Sequence, residues 1–204
     1  MRYKLHVIHF NQPDLLARAV HSTAPIECLH IWSNGVPKPM IPAIHHELPS
    51  LSYIGAVNHL LHSSWDDDVM FWIHDDIECD QEVAADFFRH VQRVWEIGGT
   101  WGYVFAKYDA LCAFNCAAIR HTGYYDNMFY WNYADTDYHC RMRRAGWDLQ
   151  NVERYFANRI IHHGDSSHRA DPALAALREW RGQFGQDKAY YEWKHGGPPG
   201  LETR

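Results

Sequence analysis

The chain has 204 residues, 47% of them hydrophobic and 22% charged, which suits one globular domain with a sizeable core. Its net charge of −6 argues against non-specific binding to nucleic acid, which relies on a basic surface. No apolar run approaches the roughly 18 residues of a membrane span. The five cysteines form no C-x-x-C pair, and the first residues are too mixed for a signal peptide. We therefore expect a reduced, cytoplasmic protein without stable membrane insertion.

The first half of the chain alternates between strand-like and helix-like segments. Three segments rich in β-branched and aromatic residues predict strands: KLHVIHF (4–10), CLHIWSNG (28–35) and DDDVMFWIHDD (66–76). Apolar residues at helical spacing predict helices after Asp14, at 50–64 and at 80–96, and a Pro-punctuated loop is predicted at 36–42. This order predicts an α/β sheet of parallel strands with crossover helices, in which ligands bind beyond the carboxyl ends of the strands.

The second half of the chain has a different pattern. Residues 100–119 are strand-like, and 126–147 run from a loop into a helix that ends at Gly146. Residues 154–168 predict a strand, 172–180 a helix, and the last residues, from Tyr190, a tail. The glycine pair at 98–99 is the candidate subdomain junction, so we divide the single domain into a nucleotide-binding half (1–98), an acceptor and catalytic half (99–170), and a C-terminal helix with a lid-like tail (171–204).

Two polar clusters each follow an apolar strand. Asp75, Asp76 and Glu78 come directly after the run at 69–73, and carboxylate oxygens there would suit Mg²⁺ or Mn²⁺ held together with a nucleotide. His162 and His163 follow an apolar pair of isoleucines, and imidazole beside carboxylate favours Mn²⁺ over Mg²⁺. A solvated polar turn and ordinary surface histidines remain the alternative explanations.

A third polar cluster opens a predicted helix. Asp135 and Asp137 lie where the helix dipole favours carboxylates, so capping explains at least one of them. The other explanation is that a carboxylate near a nucleotide-sugar site takes the proton of an attacking hydroxyl. The aromatic segment before this helix, YYDNMFYWNY (124–133), is either a platform for a sugar acceptor or a hydrophobic packing element.

Six segments, in order along nearly the whole chain, resemble a family 2-type glycosyltransferase with the GT-A fold. They are VIHFNQPDLLARAV, IWSNG, FWIHDDIECDQEV, YADTDYHCRMRRAGW, IIHHGDSS and WKHGGPPGLE. Each motif is weak alone, and their shared order makes the resemblance specific. It implies an α/β, Rossmann-like mixed sheet flanked by helices, with a smaller acceptor subdomain. It also implies an enzyme that moves a sugar from a nucleotide-diphosphate sugar to an acceptor hydroxyl with inversion.

The resemblance assigns metal ligands and a base. Asp76 would be the principal ligand of Mn²⁺ (or Mg²⁺), assisted by Asp75, and His162 or His163 would complete the metal site. Asp135 would be the catalytic base that deprotonates the acceptor. An ion pair between Asp137 and Arg141, one helical turn later, would hold the loop before the helix.

The resemblance also implies a donor site. His9, Asn11, Ser33 and Asn34 would border the nucleotide. The glycines and prolines of WKHGGPPG predict either a mobile lid, in which Lys194 or His195 would reach the diphosphate, or a disordered tail. The expected donor is a UDP-sugar, and the acceptor is a saccharide or another hydroxyl, with a modified base in viral DNA also conceivable.

The chain departs from the family pattern at Ser33, where an acid is usual, at His74, which replaces the first acid of the metal motif, and at Ala134, which replaces a Glu. These departures keep open a degenerate, non-catalytic module that only binds a nucleotide sugar. A second alternative is a metal-dependent phosphohydrolase of the HD type, which would require a nearly all-helical fold.

Overall fold

The computed structural model describes residues 1–24, 26–107, 109–129, 132–156, 159–163 and 183–203. Within these ranges, a seven-stranded sheet has the order β3-β2-β1-β4-β7-β6-β8 and a two-stranded sheet pairs β5 with β9. The strands, numbered along the chain, are β1 (Tyr3–His9), β2 (Leu29–Asn34), β3 (Ile44–Leu48), β4 (Val69–His74), β5 (Ile77–Cys79), β6 (Trp101–Ala106), β7 (Leu111–Asn115), β8 (Asp148–Asn151) and β9 (Ile160–His162).

Helices cover both faces of the large sheet. They are α1 (Pro13–Ser22), α2 (Tyr53–Ser63), α3 (Gln81–Ile97), α4 (Cys116–Thr122), α5 (Ala134–Arg144), α6 (Glu153–Phe156) and α7 (Gln183–His195). None of the helices in the described ranges combines the length and apolar character that a bilayer crossing requires. The predicted helix at 172–180 lies outside the described residues, and so does His168, which the sequence leaves open as a third candidate metal ligand beside His162 and His163.

The sheet is mixed, as predicted for the GT-A fold. Strand β1 pairs in parallel with β2 and β4, and β2 pairs in parallel with β3. Strand β7 runs antiparallel to both β4 and β6, and β6 pairs in parallel with β8. The nine described strands also exclude the nearly all-helical fold that a phosphohydrolase of the HD type would need.

Burial on both faces explains why β4 is an uninterrupted apolar run. Phe71 and Phe87 of α3 belong to one core cluster, whereas Trp72 and Leu60 of α2 belong to the other. Successive side chains of a strand point to opposite faces, so a strand covered on both sides favours apolar residues at consecutive positions. Complete burial of such a side chain contributes about 1.5–3 kcal/mol.

Several elements differ from the sequence-based expectation. The strand-like segment at 100–119 is the antiparallel hairpin β6–β7 followed by helix α4. The helix begins after Asn115, because the Asn115 side chain accepts a hydrogen bond from the Ala117 backbone N–H at 3.0 Å and caps the helix. Strands β3, β5 and β8 were not predicted. The segment predicted as a strand at 154–168 begins in α6, and Tyr190–His195, predicted as tail, are part of α7.

The carboxyl ends of three parallel strands meet at one edge of the sheet. Ile8 lies opposite His74, and His9 lies opposite Ser33. The polar residues that follow β1, β2 and β4 are therefore neighbours in space. This convergence is the one that the sequence pattern predicted.

Candidate functional site

Two imidazoles and one carboxylate form a cluster at this edge. His74, Asp76 and His162 each offer one ligand atom, and these atoms lie within 4.8 Å of one another. Asp76 Oδ1 is 3.1 Å from His162 Nε2 and 4.0 Å from His74 Nδ1. The sequence resemblance named Asp76 and His162, whereas His74 was treated only as a departure from the family pattern.

A short antiparallel sheet brings the two parts of the cluster together. Strand β5 begins directly after Asp76, and its Ile77 pairs with His162 of β9. The His163 backbone N–H donates to the Asp76 carbonyl oxygen at 2.9 Å, which extends this pairing. His162 therefore reaches a position beside Asp76 although the two residues are far apart in sequence.

The donor set of the cluster fits a divalent cation. Burial lowers the pKa of His74 to about 4, although the nearby Asp76 charge opposes the shift, so this imidazole is neutral and can offer a lone pair. His74 Nε2 is buried and has no hydrogen-bond partner among the described residues. Two imidazole nitrogens with one carboxylate oxygen suit Mn²⁺ better than Mg²⁺, which prefers oxygen ligands.

The second predicted histidine occupies a different position. His163 Nε2 lies 3.3 Å from Glu78 Oε2, and neither residue belongs to the three-residue cluster. The structure thus places His162 in the cluster and pairs His163 with Glu78.

Buried polar atoms also line the edge beside the cluster. Asp75 Oδ2 accepts a hydrogen bond from the Phe10 backbone N–H at 3.1 Å and lies 3.8 Å from His9 Nδ1, so it joins the ends of β4 and β1. His9 Nδ1 and Ser33 Oγ are buried, and within the described ranges neither makes a hydrogen bond. Unsatisfied buried polar atoms are costly, so these two are candidates for contacts with a ligand.

The two predicted asparagines have different surroundings. Asn11 is exposed and has a φ of 81°, a left-handed conformation that asparagine tolerates better than most residues. Both polar atoms of the Asn34 amide are bonded to the backbone of Leu51, with each hydrogen bond at 2.9 Å. Asn34 therefore fixes the entry to α2, and its side chain has little capacity left for a nucleotide.

Asp135 lies in the first turn of α5. Its side chain is exposed, and its charge is close enough to raise the pKa of His74. The Asp109 carboxyl, in the turn between β6 and β7, accepts a hydrogen bond from the Tyr103 hydroxyl at 2.7 Å. Burial, together with the Asp135 charge, raises the pKa of Asp109 to about 8.

Asp137, two residues after Asp135, has a structural environment. Its fully buried carboxylate lies 2.8 Å from Arg141 Nε, 2.6 Å from Lys194 Nζ and 2.8 Å from His195 Nε2. The predicted ion pair with Arg141 is present. Lys194 also lies 2.6 Å from Asp126, so two carboxylates hold the side chain that the sequence assigned to the diphosphate.

The aromatic segment at 124–133 packs largely into the protein. Tyr125 and Phe129 are buried, and Tyr125 stacks on Tyr138 of α5 with ring centroids 4.3 Å apart. Met128 is exposed. These contacts favour the packing explanation for this part of the segment, and Tyr130 and Trp131 lie outside the described residues.

Sequence reasoning missed three groups beside the predicted base: Asp109, Tyr103 and His139. His139 lies one helical turn after Asp135, and this spacing places both residues on one face of α5. The spacing is visible in the sequence and could have indicated that His139 lies beside the predicted base. Asp109 and Tyr103 carried no signal, because a single acid in a turn and a tyrosine in a strand are common. The antiparallel hairpin that brings them to α5 was itself not predicted.

Comparisons with known proteins match the fold but not the sequence. No protein-family model matches the chain, and no curated protein matches it. Among solved structures, glucosyl-3-phosphoglycerate synthase from Mycobacterium tuberculosis, in complex with Mn²⁺, UDP and its product, has a TM-score of 0.63 at 10% identity, covering 98% of this chain and 81% of that one.

Two further structures show the breadth of this fold. A mannosyltransferase from Pyrobaculum calidifontis, in complex with GDP-Man and Mn²⁺, has a TM-score of 0.57 at 12% identity; the match covers 74% of this chain but only 54% of the mannosyltransferase. A cytidylyltransferase from Thermus thermophilus, acting on 2-C-methyl-D-erythritol 4-phosphate, has a TM-score of 0.51 at 12% identity, covering 86% of this chain and all of that one. The chain has the GT-A-type fold of nucleotide-diphospho-sugar transferases, and such a fold hosts more than one reaction.

Proposed function

We propose that the protein is a metal-dependent, inverting glycosyltransferase that moves a sugar from a nucleotide-diphosphate sugar to an acceptor hydroxyl. The observation that carries this proposal is the placement of His74, Asp76 and His162 at the carboxyl edge of the sheet, with the Asp135 charge near enough to act on the pKa of His74. Mn²⁺ together with GDP-Man in one structure of the same fold, and together with UDP in another, supports it.

In this proposal the three-residue cluster holds the cation. Asp76 supplies the carboxylate, and His74 and His162 supply neutral imidazole nitrogens. The cation would act as a Lewis acid on the charge that develops on the leaving diphosphate. Asp75 keeps the Phe10 backbone in place at the end of β1, which shapes the adjoining nucleotide pocket.

Asp135 is the proposed base. An exposed carboxylate that faces the cluster can take the acceptor proton while the acceptor oxygen attacks the anomeric carbon. Attack on the side opposite the diphosphate inverts the configuration. The proposed acceptor is a saccharide or another hydroxyl compound.

His9 and Ser33 are the proposed contacts to the nucleotide, which we take to be a uridine nucleotide. Each has a buried polar atom for which the described part of the chain supplies no hydrogen bond. We assign Asn34 and Lys194 to structural roles instead, because the first is bonded to Leu51 and the second to two carboxylates. Asn11 remains a proposed border of the nucleotide.

The first test is a thermal-shift screen with UDP, GDP, UDP-glucose and GDP-mannose, each with and without Mn²⁺. A ligand at 100 times its Kd stabilises the protein by about 2.7 kcal/mol, which corresponds to about 5–10 °C for a chain of this size. His162→Ala and His163→Ala form a matched pair. We expect His162→Ala to lose the Mn²⁺-dependent shift and His163→Ala to keep it.

Release of free nucleoside diphosphate separates an enzyme from a degenerate binding module. A transferase releases UDP from UDP-glucose when acceptor or water is present, whereas a binding module gives the thermal shift without release. The absence of any Mn²⁺-dependent shift with all four nucleotides would falsify the proposal. Loss of the shift in His163→Ala but not in His162→Ala would refute the assigned ligands.

A further inference from the structure

Three histidines and a tryptophan form a cluster of stacked rings, which we call the imidazole stack, on the α2 side of the large sheet. Its members come from three neighbouring strands: His6 of β1, His30 and Trp32 of β2, and His46 of β3. His6 lies opposite His30 in the sheet, and Trp32 lies opposite His46. The Trp32 and His46 rings are stacked with centroids 3.9 Å apart, and Trp32 shares a core cluster with Leu60 of α2. The stack therefore joins these three strands to one another beneath α2.

Hydrogen bonds fix the protonation state of His6. The Trp32 indole Nε1–H donates to His6 Nδ1 at 2.9 Å, and His6 Nε2 lies 2.7 Å from the hydroxyl of Ser64, the residue directly after α2. An indole can only donate, so Nδ1 carries no proton and the proton of the ring is on Nε2. His6 and Ser64 are completely buried. The closed structure therefore requires a neutral His6, because a proton on Nδ1 would place one donor against another.

The other two imidazoles disfavour a charge in the stack as well. His30 Nδ1 lies 2.9 Å from His46 Nε2, so one of these rings donates and the other accepts. The centroids of the His6 and His30 rings are 5.3 Å apart, and two cations at this distance in a buried region repel each other strongly. Burial, followed by the neighbouring imidazoles, lowers the pKa of His6 well below its ordinary value of 6.5 and the pKa of His30 to about 4.

The charged groups around the stack do not offset an added proton. Besides the three imidazoles themselves, the titratable groups that face the stack are Lys4 of β1, His45 of β3 and Asp67 of the turn after α2. Lys4 is itself a cation. Asp67 favours a protonated His30, but its carboxylate already lies 2.9 Å from Lys4 Nζ. Protonation of the stack therefore buries a positive charge beside a cation and beside a carboxylate that is already paired.

We propose that the imidazole stack is an acid-sensitive latch, which holds β2 and β3 to the end of α2 while it is neutral and releases them when His6 binds a proton from solvent. The proton binds at Nδ1 and displaces the Trp32 indole. Trp32 lies two residues before Asn34, whose amide is bonded to the backbone of Leu51, just before α2. Release therefore loosens the end of β2 and the segment between β2 and α2. This inference does not depend on the proposed function.

The direction of the effect follows from the two sets of pKa values. In the open form each imidazole has an ordinary pKa of 6.5, and in the closed form the pKa of His6 and of His30 is lower. The latch is therefore most stable above about pH 6.5 and weakens as pH falls, because the open form binds more protons. With the pKa of His30 at about 4, this residue alone raises the open population by up to about 30-fold between pH 8 and pH 5. His6 acts in the same direction.

Nitrogen-15 NMR of the histidine rings tests the state of His6 directly. We expect a neutral ring with its proton on Nε2, and no titration between about pH 8 and about pH 5.5. Trp32→Phe removes the donor that faces Nδ1, so His6 should titrate at a higher pH in this variant than in the wild type. A folded wild type in which His6 is charged near its ordinary pKa, or carries its proton on Nδ1, would overturn the proposal.

Hydrogen exchange at pH 5 and pH 8, corrected for the intrinsic effect of pH on exchange, tests the release. The test variant is His6→Gln, which keeps a neutral acceptor for the indole and a donor for Ser64. The matched control is His59→Gln, which replaces an exposed histidine of α2. In the wild type and the control, acid should accelerate exchange in β2, β3 and the last turn of α2, while β6 and β7 stay protected. We expect this acceleration to be at least about tenfold smaller in His6→Gln.

Each outcome decides the proposal. Equal acceleration in β6 and β7 means that acid unfolds the whole protein, which excludes a local latch. Equal acceleration in His6→Gln and the wild type means that His6 is not the trigger. If His6→Gln does not fold, the ring state of wild-type His6 and its change in Trp32→Phe still decide the matter. Nucleotide binding and release test the glycosyltransferase proposal separately, so either proposal can fail without the other.

Discussion

Replacement of Asp137 by asparagine should cost the protein a large part of its stability. The buried carboxylate uses Oδ1 for Lys194 and His195 and Oδ2 for Arg141, at 2.6 to 2.8 Å. An asparagine side chain keeps one of these oxygens. Its NH₂ group then points at the Arg141 Nε–H, a donor facing a donor. Arg141 cannot easily move away, because Tyr124 and Thr122 carbonyl oxygens hold its other nitrogens at 2.8 and 3.0 Å.

The expected loss follows from the number of charged bonds. Each hydrogen bond to a charged group contributes about 1.5–3 kcal/mol, and removal of one partner of a buried ion pair costs about 3–5 kcal/mol. Lys194 and Arg141 are each 23% exposed, so water partly compensates, and we expect a loss of about 3 kcal/mol. For a chain of this size, that loss lowers the melting temperature by about 6–12 °C.

Urea unfolding at pH 7, followed by circular dichroism, measures this loss. The matched control is Asp135→Asn, two residues away on the same helix but exposed, for which we expect a loss of no more than about 0.5 kcal/mol. Hydrogen exchange should also accelerate in α7, because Lys194 and His195 tie this helix to α5. An Asp137→Asn variant within about 1 kcal/mol of the wild type, or a control that loses as much, would refute the reasoning.

Three further predictions concern single residues. Asp109→Asn should stabilise the protein increasingly as pH rises from about 4 to about 8. Folding raises the pKa of the Asp109 carboxyl from 3.8 to about 8, so the wild type loses stability across that range of pH and the variant does not. The difference in melting temperature between the two proteins, measured against pH, tests this prediction. Asp135→Asn should lower sugar transfer by about 10²- to 10⁴-fold and leave calorimetric UDP binding with Mn²⁺ unchanged. Gly102→Ala should cost about 1–3 kcal/mol by urea unfolding, because a Cβ there would lie 2.7 Å from Trp147 Cβ.

The sequence by itself determined the class of fold and the side of the sheet where chemistry is expected. The alternation of strand and helix patterns in the first half was confirmed, and so was the convergence of the polar strand ends after β1, β2 and β4. Both depend on local periodicity and on the fixed handedness of parallel connections, which a single sequence displays directly. The short strands β3, β5 and β8 escaped detection because they have three to five residues and no continuous apolar run.

Only the tertiary structure decided which of the polar residues act together. It placed His162 rather than His163 beside Asp76, added His74 to the cluster, and brought Asp109 to the Tyr103 hydroxyl. Each pairing joins segments that are distant along the chain, and residue type alone does not specify such contacts. The register of β5 against β9 and the turn between β6 and β7 fix them, because a shift of one residue in a strand sends every side chain to the opposite face.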